Sequence, residues 1–100
     1  MREQEKPREF AAQMSVRDGC WRLYVVLLRT TERWPEFAFG RRRPVPTLTE
    51  RSRALSVLGF EPVAGGEWAW SEDSKIPDDP ATAVILIAAI RVRSRAEVAA

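Results

Sequence analysis

The pair Asp18-Gly19 does most to restrict what this chain folds into. It separates two runs, residues 9–17 and 20–29, in which apolar and polar side chains alternate. A two-residue hairpin turn needs left-handed backbone at both central positions, and Asp-Gly supplies it at low steric cost. Closing the turn with Arg17 opposite Cys20 fixes the register of the whole ribbon. Phe10, Ala12, Met14 and Val16 then oppose Leu27, Val25, Leu23 and Trp21, and every pair on that face is apolar. The other face, with Gln13, Ser15, Arg22 and Tyr24, grows polar toward the turn. The ribbon is therefore scaffold, a floor for a second layer.

Residues 1–8 are polar, contain Pro7 and show no period, so they read as a flexible N-terminal arm. A single domain follows over 9–93, with 94–100 as a C-terminal tail. Residues 36–39 read as a short third strand with Phe37 and Phe39 on one face. Pro44 and Pro46 then force an extended connection over 40–46. Thr47-Leu48-Thr49-Glu50 is a capping box, and Gly59 supplies a left-handed residue after the last turn. These ends delimit a helix over 51–58, with Leu48, Ala54, Leu55 and Leu58 as its buried stripe and Arg51, Arg53 and Ser56 facing water.

Residues 60–64 and 67–71 are strand-like, and Gly65-Gly66 between them reads as a second hairpin turn. Trp68 and Trp70 share one face, and Pro62 confines its strand to an edge. An acidic loop, 72–80, comes next. Residues 83–93 carry opposed signals. Asp79-Pro80 is a helix start, whereas five β-branched residues and the alternation of 90–93 favour a strand. Alternation separates the two states better, and the nearly continuous apolar run suits a central strand covered on both faces. The order β-β-(β)-α-β-β-β defines an α+β fold, an antiparallel sheet of about five to six strands with one helix packed on one face.

The residue inventory removes many chemistries. Histidine is absent, which takes away the usual acid/base catalyst at neutral pH and the commonest metal ligand. Cys20 is the only cysteine and has no general base near it in sequence. It forms no internal disulfide, so a reducing cytoplasm is expected. Glu72-Asp73 and Asp78-Asp79 lack the oxygen-ligand alternation of a calcium loop. No phosphate-binding glycine pattern occurs. Neither an enzyme, a cofactor nor a metal site is expected. The longest apolar run, 83–90, is too short to span a bilayer, and the charged start has no signal-peptide core.

Two features carry functional expectation. Trp68 and Trp70, with Trp34 before Pro35, are candidates for binding a protein partner, because tryptophan and arginine dominate interface hot spots. Uncovered sheet edges also allow homodimerisation by strand pairing. Arg41, Arg42 and Arg43 lead into the helix that carries Arg51 and Arg53, an arrangement suited to anions and, as the alternative function, to nucleic acid. Charge is distributed to match: residues 1–60 hold twelve Lys/Arg and seven Asp/Glu, residues 61–100 four and seven. Fourteen of the sixteen basic residues are arginine, which GC-rich codon usage also explains. The leading expectation is a small non-enzymatic interaction module or accessory protein.

Phe37-Ala38-Phe39-Gly40, the run LSVLGFEP at 55–62 and WAWSED at 68–73 resemble a family of short actinobacterial proteins known only as a domain of unknown function. The resemblance extends over most of the chain after the arm. It implies a GC-rich genome and no activity, ligand or catalytic residue.

Overall fold

A computed structural model describes residues 8–74 and 76–95; of the expected arm over 1–8 and tail over 94–100, residues 1–7 and 96–100 lie outside the described residues, and Ser94 belongs to the last strand instead of the tail. The opening ribbon forms β1 (Glu9–Arg17) and β2 (Cys20–Val25), paired antiparallel with Arg17 opposite Cys20 and Met14 opposite Leu23. Asp18 and Gly19 both take positive φ, 54° and 80°, as the turn demands. The ladder runs one step past β2, where the Val26 N–H donates to the Ala11 carbonyl at 2.9 Å. β3 (Glu36–Ala38) adds to β2 and brings the Phe37 and Phe39 rings within 5.1 Å.

The helix α1 (Leu48–Leu58) has the expected ends. Thr47 Oγ1 accepts from the Glu50 N–H at 3.2 Å, the Thr47 N–H donates to Glu50 Oε1 at 3.0 Å, and Gly59 is left-handed at φ 89°. Its buried stripe differs from the expected one. Leu48 is 63% exposed, and Arg51, expected in water, is 7% exposed. The face turned to the sheet is Arg51, Ala54, Leu55 and the half-buried Leu58, an i, i+3, i+4, i+7 series in which Leu48 overhangs the first turn.

Strand β6 (Val84–Ser94) confirms the strand reading of the last apolar run and is the sheet's central member. β1 pairs along one side of it, while β4 (Phe60–Pro62) and β5 (Ala69–Ser74) follow one another along the other. Among the described residues all six strands are antiparallel to their neighbours, giving an α+β sheet in the order β3-β2-β1-β6-β4, with β5 also on β6. The expected hairpin across Gly65-Gly66 does not form. Pro62 lies opposite Val92 and Ala69 opposite Ala89, so seven steps on the outer chain match three on β6. The excess is a tight excursion in which the Gly66 N–H donates to the Val63 carbonyl at 2.9 Å. The Val63 N–H meanwhile holds the Arg91 carbonyl at 3.0 Å, so the chain keeps its direction along β6 instead of folding back. β5 also takes Glu72–Ser74 from the expected acidic loop.

The core lies between sheet and helix: Met14, Leu23, Val25 and Val92 are buried against Ala54 and Leu55. α1 lies over β2, β3 and β4, away from the start of β6. The expectation that β6 is covered on both faces therefore fails there, where Val84 is 58% and Leu86 48% exposed.

Candidate functional site

Cross-strand partners share a sheet face, so pairing shows which side chains meet. Trp70 lies opposite Ala88, and Ala88 opposite Met14, which places Trp70 on the helix side. Trp21, opposite Val16, is on that side too, and its ring meets Trp70 edge-on at 5.8 Å and 82°. From above, α1 delivers Arg51. Its guanidinium carbon lies 5.3 Å from the Trp68 ring and 5.4 Å from the Trp70 ring, and its Nε donates to the Pro46 carbonyl at 2.9 Å. Burial pushes the Arg51 pKa down, yet a guanidinium stays charged at neutral pH. A cation held between two indoles suits the negative faces of their rings. Trp68 is half-buried in this arrangement, whereas Trp70 stays 46% exposed at the sheet margin.

The arginine loop is tied to the same cluster. The Trp21 N–H donates to the Arg41 carbonyl at 2.9 Å, and Trp21 Nε1 donates to the Arg42 carbonyl at 2.8 Å. Arg41 makes a two-pronged contact with Glu50 at 2.8 and 2.7 Å and donates from Nε to the Pro44 carbonyl. Those hydrogen bonds, with the Thr47 N–H next in importance, hold the Glu50 carboxyl at about 2, well below the usual range; the same carboxylate raises the Arg41 pKa. The five arginines singled out in the sequence thus do not form one patch. Arg41 is neutralised at the helix start, Arg51 is buried, and Arg53 stands exposed on α1. Arg42 and Arg43 are exposed, with no side-chain partner among the described residues.

Arg42 and Arg43 instead form one wall of an open depression of about 360 Å³ whose floor is Val16, Trp21, Val84 and Leu86. Val45, which the sequence reading passed over, lines it together with Ile85 and is 42% exposed. A valine held between two prolines was the available signal. Leu86 was missed because its apolar run reads as core.

Trp34 is elsewhere. It stacks on Tyr24 with centroids 6.1 Å apart and planes at 21°, and Tyr24 faces away from the helix, donating to Gln13 Oε1 at 3.0 Å. A second open depression of about 680 Å³ surrounds this stack, lined by Arg17, Arg33 and Glu36. Glu36 is already paired there with Arg17 and, at 3.1 Å, with Arg22. Among the described residues no three His, Cys, Asp or Glu side chains gather as a metal ion's ligands would, and no helix is long and apolar enough to cross a membrane.

Fold and site together define a small α+β protein with indole rings, guanidiniums and uncovered aliphatic side chains gathered on the helix side of its sheet. Residues 8–100 match the model of a family of unknown function, DUF6303, and the chain belongs to that family. No curated protein and no solved structure matches it.

Proposed function

We propose that this protein is a small non-enzymatic interaction module that binds a protein partner through the helix-side face around Trp70, Val84 and Leu86. One observation carries the reading: large apolar side chains lie uncovered along one face of the sheet, beside Trp70, whose ring meets Trp21 edge-on and is held from the helix by Arg51. Contiguous apolar exposure rimmed by charge marks interaction surfaces, and a pre-ordered tryptophan loses little entropy on docking. The same reading takes the protein to be cytoplasmic and of actinobacterial origin, in keeping with its lone cysteine and its arginine-rich composition. A photo-crosslinking amino acid at Leu86 is expected to label a protein neighbour in the source cells. The same group at Val57, exposed on α1, is expected to leave that neighbour unlabelled. Equal labelling at both positions, or none at Leu86, would sink the proposal.

A second reading, nucleic-acid binding, is favoured by Arg42, Arg43 and Arg53, which have no side-chain partner among the described residues. It predicts binding to labelled DNA or RNA that weakens steeply with salt. Absence of binding at low salt ends it.

A further inference from the structure

We infer that the partner seated on this face is a second copy of the same chain, related by a two-fold axis that passes close to Val84. The inference rests on the interaction reading above and adds the identity of the occupant. Val84 belongs to two open depressions at once. On one side is the cavity of about 360 Å³ walled by Arg42 and Arg43; on the other is one of about 350 Å³ walled by Glu72 and Asp78, with Asp73 reaching it from the opposite face of the sheet, where it pairs with Ile85. The face is thus basic on one flank, apolar along Val84 and Leu86, and acidic on the other flank.

That sequence of charges selects the occupant. A uniformly acidic partner matches Arg42 and Arg43 but is repelled by Glu72 and Asp78, and a uniformly basic one meets the converse. An isologous two-fold interface requires a patch to be complementary to itself after rotation. Rotating this face about Val84 sets the arginines of one copy against the carboxylates of the other, twice, and stacks the two apolar strips. Neither flank is spent internally. Arg42, Arg43, Glu72 and Asp78 have no side-chain partner among the described residues, and Asp73 accepts only from its neighbour, the Ser74 N–H, at 2.8 Å. Opposite charges placed this way set orientation and exclude wrong partners as well as adding affinity.

Sedimentation velocity on the 100-residue chain across the micromolar range tests the inference. The wild type is expected to dimerise, and more weakly as salt rises. R42E/R43E and E72R/D78R are each expected to raise the dimer dissociation constant at least about a hundredfold, since each sets like charges against one another twice. Mixing the two variants restores opposite charges at both flanks and is expected to recover a heterodimer of near wild-type affinity. All four positions are exposed, and circular dichroism checks that both variants fold. A wild type monomeric throughout, a dimer indifferent to both reversals, or a mixture that stays monomeric would each overturn the inference. The interaction reading falls separately, by the Leu86 crosslink. An adduct whose mass is not twice that of the chain retains the face and removes the second copy.

Discussion

Replacing Arg51 with methionine isolates what the buried guanidinium does, because methionine keeps an unbranched apolar stem as far as the Nε position and removes the charged fork. The wild-type group donates to the Pro46 carbonyl and lies against two indoles. A hydrogen bond from a charged donor contributes about 1.5–3 kcal/mol, and each cation–π contact about 0.5–1 kcal/mol. The gross loss is therefore about 2.5–5 kcal/mol. Relief of the guanidinium's desolvation offsets part of it, and the net destabilisation expected is about 2 kcal/mol. In a domain of this size each kcal/mol moves the midpoint by about 4–8 °C, so Tm falls by about 8–16 °C. Thermal and urea unfolding followed by far-UV circular dichroism measure it. Arg51→Lys is expected to lose a comparable amount, since an ammonium carries the charge but neither the planar face nor the Nε donor. In a cycle with Trp70→Leu, a coupling of about 0.5–1 kcal/mol assigns the indole's share. A methionine variant as stable as the wild type would refute the reasoning, because desolvation would then outweigh every contact the cation makes.

Other consequences are as direct. Glu50 is held at about 2 instead of 4.5, so its contribution is fully present above pH 4.5 and is lost as pH falls toward 2; Glu50→Gln should flatten the acid limb of a stability–pH curve, and an unchanged slope refutes this. Gly59→Ala puts a β-carbon on left-handed backbone at φ 89°, which costs about 1–2 kcal/mol even though open space surrounds it; an unchanged urea midpoint contradicts it. Leu23→Ala removes a fully buried side chain and is expected to cost about 2–5 kcal/mol. Leu48→Ala, on the overhanging turn, should stay within about 0.5 kcal/mol, and comparable losses from the two would disprove the placement of the helix stripe.

What the sequence disclosed divides by the range of the interactions concerned. The first hairpin and both helix caps were readable because turn chemistry and capping act within four residues. Arg51 was not, since a hydrophobic–polar pattern assigns arginine to water whatever its position. Its place in the series 51, 54, 55, 58 was the overlooked signal, because a side chain there has to cross the interface. The Gly65-Gly66 turn was found, but not its consequence. Whether the strands on either side of it pair with each other or with a third is decided by β6, which begins eighteen residues beyond Gly66 and offers backbone to both. The tryptophan and arginine leads, separate in the sequence, meet in one place because Arg51 enters between Trp68 and Trp70 and the Trp21 indole holds the loop of Arg42. Trp34 and Arg53 fall outside that meeting point.

The exposed strip follows from lengths that the sequence already contains. α1 has eleven residues and β6 has eleven. At a rise of about 1.5 Å per residue the helix covers about 16 Å, whereas at about 3.3 Å per residue the strand runs about 36 Å. A single helix laid on this sheet therefore covers less than half the length of its central strand, however it is oriented. It is placed over β2, β3 and β4, so the shortfall lies at the start of β6, where alternation still directs Val84 and Leu86 to the helix side. Trp21, Trp70 and the arginine loop close over part of the gap and stop short of those two side chains. A chain that only had to fold could have placed polar residues at 84 and 86 at no cost to its core. On the interaction reading proposed above, aliphatic residues there, between a basic and an acidic flank, belong to a surface that a partner covers.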